Sequence, residues 1–558
     1  MNYCDGNNNI SVISEFSQGS LHLHLIKLGE KNLYMGKIII GNLPCDKLDV
    51  SQNYSCGITE CVFDGMSIKF FISLNNCLYI SITADKNVVM PTFNISINKY
   101  DKSSIFEYSE NGLEWYLSKS NNSNYKSFSV CCRRLSAIDN CGVKSTEFCI
   151  SVISESESVN YVSKGIQLVI DSDFENELKS TGVRYKNFLS LSNMIIGDKY
   201  IDRLYNKSIY LLNSVMVENS DFQCIDNVFS MLSLLTSNRY EYADTIICKC
   251  NNFTDKNNCK VVDVVNNNIC KGFNLDKNTI CFSCLLVAYW HCTYEIDFGK
   301  TVVYPYIKAL CLDLEKYLTK TNDKYVVDNY IIENFIKIVF SCLIDIANTV
   351  NVDEKKIVKW MDIVDCTVSK KSISTLLKSR NKKNSNALNE IELILSISLL
   401  DKNSSYYNLC KINSKTKLYK KRLFSEISKC DEKFEIESII KNSNILTSNS
   451  LLAVPFFLNY SLVSCHNGVI NLFPYWDLKY DVSFENISVL GGFLFSGTLE
   501  SGKIIKLTVK SIKGNVCHVK CPNSSISVKR IDGSSLCCKK CGSYIEFDTN
   551  INEVYVLI

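Results

Sequence analysis

The residues whose types and spacing are best suited to chemistry are cysteines and histidines. Cys517 and Cys521 in C-H-V-K-C, with Cys538 and Cys541 in C-K-K-C-G, approach the spacing of a zinc ribbon, in which paired thiolates hold a tetrahedral Zn2+. The first knuckle is C-x-x-x-C, and Cys537 has no role in such a site. Bare thiols or a disulfide are therefore the favoured reading, and neither a metal nor another cofactor is expected. His22 and His24 alternate in L-H-L-H-L and share one face of a strand, where they could ligate. No carboxylate or third histidine accompanies them in sequence, so they read as sheet-surface residues. Tyr475 and Trp476 close an apolar run between Gly468 and Pro474. They offer an aromatic platform for a sugar, although residues of this kind more often fill an interdomain seam. No G-x-S-x-G, Walker loop or dinucleotide fingerprint occurs.

The elements that must position these groups come in three blocks. From residue 10 to about 165 the apolar period is that of strands: Leu21 to Leu25, Ile68 to Ile72 and Leu78 to Ile82 are short, rich in β-branched and aromatic residues, and separated by turn residues. From about 196 to 460 the period becomes helical. Ile201, Leu204, Tyr205, Ser208, Leu211, Leu212 and Val215 share one face, and so do Ile332, Phe335, Ile336, Val339, Leu343, Ile346, Ala347 and Val350. Pro305 suits a first helical turn and Asp328 an N-cap. After 464 the runs at Val469–Phe473, Phe493–Phe495 and Ile504–Val509, punctuated by Gly491-Gly492 and Ser501-Gly502, predict a β-meander.

A chain of 558 residues implies two to four domains. The balance of 61 basic against 58 acidic residues, without a long basic run, excludes nucleic acid and an anionic membrane as expected partners. No run approaches 18 apolar residues, so no transmembrane helix is expected. The first sixteen residues carry Asp5, Asn7, Asn8, Asn9 and Glu15 and no apolar stretch of a secretion signal. Cytoplasm is the default, and in its reducing setting the 28 cysteines would be small buried hydrophobes.

The segment SCHNGVINLFPYWDLKYDVSFENISVLGGFLFSGTLESGKIIKLTVKS, from Ser464 to Ser511, resembles the C-terminal end of glycoside hydrolase family 95, of the six-hairpin glycosidase superfamily. Weaker likenesses lie at Leu113-Glu114-Trp115-Tyr116, at Ala288-Tyr289-Trp290-His291 through Tyr304-Pro305, and at Ile344 to Trp360. The resemblance implies an N-terminal β-sandwich (1–165), a linker (166–195), a central six-hairpin α/α toroid (196–463) and a C-terminal β-sandwich (464–558). It also implies carbohydrate as partner and, for an active member, inverting hydrolysis of a terminal sugar.

Inversion requires an acid on one side of the scissile bond and a base on the other. The resemblance places the acid on a loop after the Y-P helix, in an S-P-E context absent here; the nearest carboxylates are Asp323, Asp328 and Glu333. The base side corresponds to Glu435-Ile436-Glu437 and Asn442 to Ile445, without the family's aspartate. Asp328 and Glu333 are thus the catalytic candidates, in a site whose catalytic groups look degenerate, and little or no turnover is expected. On the same resemblance, Trp290, His291, Tyr294, Asp297, His466 and Trp476 should gather at the toroid's open end as the sugar-binding set. The alternative is a non-catalytic carbohydrate-binding scaffold.

Overall fold

The structure, a computed structural model, describes residues 2–6, 10–27, 33–44, 48–73, 75–99, 103–110, 112–120, 127–140, 142–155, 157–215, 225–250, 277–327, 330–352, 355–369, 388–398, 410, 427, 450–522 and 527–557. They fall into two compact units. The first is built on residues 1–190; the second is built on most of 191–558, apart from a short segment from 209 onward that belongs with the first.

The first unit is made of two sheets. Strands Asn2–Gly6, Ile10–Ser17, Ser20–Lys27, Leu33–Gly41 and Thr92–Ile97 form a five-stranded antiparallel sheet in that order. The eight-stranded sheet runs Ser103–Glu110, Leu113–Ser120, Phe128–Asn140, Val143–Ser154, Cys77–Asp85, Met66–Ile72, Ile58–Phe63 and Asp49–Asn53. Alternation puts Ile10, Val12, Leu21, Leu23, Leu25 and Ile38 of the small sheet into one apolar core with Ile68, Phe70, Leu78, Ile80, Val130 and Val152 of the large one. The unit is therefore a β-sandwich. The large sheet's other face is covered by helix Tyr161–Ile170, whose carbonyls at Tyr161 and Gly165 accept from the Ser129 and Ser151 hydroxyls at 3.1 and 2.8 Å.

The stretch 166–195, read as a linker, carries regular structure. Helix Phe174–Ser190 buries Phe174, Thr181, Tyr185 and Phe188, a sparse stripe among charged neighbours, which makes it look polar in sequence. Strand Asn193–Ile195 then pairs antiparallel with Val482–Val489 and forms the edge of a C-terminal sheet.

Among the described residues, the second unit joins helices to three sheets, of which the smallest is formed by Lys320–Thr321, Lys324–Val327 and Thr367–Ser369. Helix Lys199–Val215 starts on Asp198, whose carboxylate accepts from the Tyr200 and Ile201 N–H groups at 3.0 and 3.2 Å, and buries Ile201, Leu204 and Tyr205. Helix Tyr304–Glu315 has Pro305 in its first turn. It packs on helix Tyr330–Thr349, which in turn packs on Ile357–Cys366. Helix Lys277–Thr293 contacts Ile225–Thr236 and Glu390–Ser398, and Ile225–Thr236 contacts Val454–Leu462. Strands Val482–Val489, Phe493–Glu500 and Lys503–Ser511 pair consecutively as a meander. They share a six-stranded sheet with Asn193–Ile195, Val528–Arg530 and Val554–Leu557. Strands Val463–His466, Val469–Leu472, Cys517–Lys520, Tyr544–Phe547 and Lys539–Cys541 make a five-stranded sheet.

The chain is thus a multidomain β+α protein. Among the described residues no helix is long and apolar enough to cross a membrane, and the cysteines are free thiols, most of them buried.

Candidate functional site

The second unit brings two buried carboxylates onto one turn of helix. Asn389 precedes helix Glu390–Ser398; its side-chain Oδ1 accepts from the Glu392 N–H at 2.8 Å, and Glu392 Oε2 accepts from the Asn389 N–H at 3.2 Å. This reciprocal capping fixes the first turn. The same Asn389 amide donates to the Cys465 carbonyl at 2.6 Å, tying the helix start to strand Val463–His466, while Asn334 Oδ1 accepts from the Leu388 N–H at 2.8 Å. Glu390 and Glu392 are 4% and 7% exposed, so each needs a partner.

Each finds a histidine from a different element. His291, in the last turn of helix Lys277–Thr293, meets Glu390 Oε1 through Nδ1 at 2.7 Å, and its carbonyl accepts from the Gly491 N–H at 2.8 Å. His466, at the end of strand Val463–His466, bonds Glu392 Oε1 through Nδ1. Its Nε2 faces the Ser464 hydroxyl at 2.9 Å and the Tyr475 hydroxyl at 3.3 Å. Burial, the largest single influence on His291, works to lower its pKa; the charge and hydrogen bond of Glu390, aided by Asp345, outweigh it and the pKa is raised. Where Nε2 of His466 accepts from a hydroxyl, Nδ1 carries the proton and donates to Glu392, which also accepts from the helix N-terminus. The raised pKa of His291 favours a proton on its imidazole, held against the Glu390 carboxylate. Cysteines near Glu390 are not nucleophiles: burial pushes Cys292 up to about 12 and raises Cys284 and Cys465 as well.

Of the six residues expected at the sugar site, His291 and His466 meet on this helix turn. Tyr294 follows immediately after the His291 helix with φ +48° and lies under the Lys513 ammonium, 5.9 Å from its ring centre. Asp297 is exposed. Trp290 is fully buried and donates from its indole to Asp345 Oδ2 at 2.6 Å; Trp476 is buried and donates to the Tyr480 carbonyl at 3.0 Å. Both indoles are engaged with protein.

Glu333 is bound to Lys337 at 2.8 Å and accepts from the Ser369 N–H at 3.1 Å. Asp323 has φ +58° in a tight turn, where its backbone strains, and Asp328 lies outside the described residues, as do Glu435, Glu437 and Asn442 to Ile445. Among the described residues, no three of the sulfurs of Cys517, Cys521, Cys538 and Cys541 come within 4.8 Å of one another. Glu390 and Glu392 escaped the sequence reading. The available signal was the capping pattern N-x-x-E at Asn389 and Glu392, set before the apolar Leu393, Ile394 and Leu395.

No protein-family model matches the chain, and no curated protein matches it. Among solved structures, a glycoside hydrolase family 127 β-L-arabinofuranosidase from Geobacillus stearothermophilus T6 is similar at 9% identity, over 63% of this chain and 72% of that one. Its TM-score is 0.22, too slight a likeness to assign a fold.

Proposed function

We propose that this chain is a glycosidase-like protein that takes the terminal sugar of a glycan at the His291–Glu390 and His466–Glu392 pairs. The observation that carries the reading is the placement of two buried carboxylates, each on its own histidine, at one helix start. In this scheme Glu392 draws a proton from water as it attacks the anomeric carbon. The proton held by His291 and Glu390 goes to the leaving oxygen, giving the free sugar and an alcohol. Residues i and i+2 of a helix start from Cα atoms about 5.4 Å apart and diverge, which favours the wider, inverting separation over the roughly 5–5.5 Å of retaining sites. Closure of the helices into a six-hairpin toroid, and kinship with family 95, belong to this same proposal. The acid and base roles expected of Asp328 and Glu333 fall in this proposal to Glu390 and Glu392.

A second reading, a carbohydrate-binding scaffold without turnover, is favoured by the use of Glu392 as a helix cap and by the engagement of both Trp290 and Trp476 with protein.

The test is a panel of aryl hexosides, deoxyhexosides and pentosides, run beside a glycan array. Hydrolysis of at least one glycoside is expected, with Glu390→Gln and Glu392→Gln each reducing the rate at least ~100-fold while glycan binding and circular dichroism stay unchanged. Glycan binding without turnover selects the scaffold. Turnover indifferent to both substitutions, or neither binding nor turnover, rejects the site.

A further inference from the structure

In the first unit, His22 and His24 do have a carboxylate beside them, contrary to the sequence expectation. The turn between strands Ile10–Ser17 and Ser20–Lys27 is Gln18-Gly19, with φ +49° and +70°, the two-residue type that matches strand twist and fixes register. That register sets Glu15 directly opposite His22, with His24 one diagonal away on the same face. The opposite face, with Val12, Leu23 and Leu25, enters the sandwich core.

We propose that Glu15, His22 and His24 form a divalent transition-metal site, with Zn2+ the fitting ion. One ligand atom from each residue falls within a 4.8 Å group, the only such group of three or more His, Cys, Asp or Glu residues among those described. Glu15 Oε2 is 3.1 Å from His24 Nε2 and 3.9 Å from His22 Nδ1. Ligand atoms of a tetrahedral zinc with bonds near 2.0–2.1 Å stand about 3.3 Å apart, so small rotations of the three side chains close the set. Two histidines and a carboxylate from one hairpin leave a further position for water.

The surroundings suit a ligand set. His24 is buried, and its Nδ1 meets the Tyr34 hydroxyl at 3.0 Å, the outer hydrogen bond that fixes the ring and leaves Nε2 for a metal. A bulge between Leu25 and Ile26, at Gly36 on the neighbouring strand, brings Tyr34 to this face while Met35 enters the core. Glu15 and His22 keep 37% and 18% of their side chains exposed, which gives an entry path. Lys37 places its ammonium 3.5 Å from His22 Nδ1, where it stands in for the cation and must swing aside when one binds.

The test is titration of the reduced full chain with Co2+, read by its ligand-field absorption, followed by Zn2+ competition. One equivalent is expected to bind with nitrogen–oxygen bands and no thiolate-to-cobalt charge transfer, which separates this site from the cysteines. His22→Ala and Glu15→Gln, both at part-exposed positions, should each weaken binding at least 10-fold. Tyr34→Phe should weaken it about 10-fold, the usual loss for an outer-shell partner, and Lys37→Met should strengthen it. The site is refuted if wild type and His22→Ala bind Co2+ alike, or if every bound equivalent shows thiolate charge transfer.

Discussion

Removing either half of the His291–Glu390 pair is expected to destabilise the second unit by about 3 kcal/mol, the low end of the range for a buried pair, because the His291 side chain keeps 24% of its surface exposed. His291→Ala leaves Glu390, 4% exposed, without its imidazole partner, and Glu390→Ala leaves the raised-pKa imidazole without its counter-charge. The double variant should lose clearly less than the sum of the two, because it strands neither group. The pH dependence follows from the direction of the shift. A histidine whose folded pKa lies above its unfolded value near 6.5 contributes its full stabilisation below that value, and the contribution fades as pH rises through the folded pKa. Urea unfolding at pH 5.5 and at pH 9, followed by tryptophan fluorescence, should show the wild type's margin over Glu390→Ala narrowing at the higher pH. Trp290, Trp360 and Trp476 lie in the second unit and Trp115 in the first, so the signal follows mainly the unit concerned. A margin that is the same at both pH values would mean that the pair carries no charge interaction.

What the sequence disclosed and what it concealed divide along the range of the interactions. Strands Met66–Ile72 and Cys77–Asp85 and helix Tyr330–Thr349 were legible because burial alternates with period 2 or 3.6 within each segment. The C-terminal meander was legible from its glycine and Ser-Gly punctuation. The Glu15–His22 neighbourhood was in principle legible too, since only the two-residue turn at Gln18-Gly19 lies between the strands; treating the histidines apart from the preceding strand concealed it. The two His–Glu pairs are a different case. His291 and Glu390 are 99 residues apart and His466 and Glu392 are 74 apart, and no periodicity reports a contact at that separation. The family pattern directed attention to the loop after the Tyr304–Glu315 helix, whereas the buried carboxylates stand on Glu390–Ser398. Strand Asn193–Ile195 was hidden for the same reason: its partner, Val482–Val489, is nearly three hundred residues away.

Gly36→Ala is expected to destabilise the first unit by about 4 kcal/mol or more, among the largest effects a single methyl group produces. At φ +140° a residue with a Cβ is strained, at a cost of roughly 1–3 kcal/mol before any contact is considered. The added carbon would then lie 2.2 Å from the Ser96 carbonyl oxygen and 2.9 Å from the Ile97 Cα. Both are backbone of the adjacent strand Thr92–Ile97, so no side chain can rotate away, and relief requires parting Leu33–Gly41 from its neighbour. The parted strand carries Ile38 and Ile40 into the core and Tyr34 to His24, so apolar burial and the histidine hydrogen bond loosen together. Gly112→Ala is the control: its φ is also positive, at +76°, but nothing lies within 4 Å of the new carbon, and only about 1–2 kcal/mol should be lost. Hydrogen exchange read by mass spectrometry over residues 33–41 and 92–97 separates the two, with protection in those strands falling by orders of magnitude in Gly36→Ala and little in Gly112→Ala. Equal protection in both variants would show that the bulge yields without strand separation, and that the Tyr34 contact on His24 does not depend on glycine at position 36.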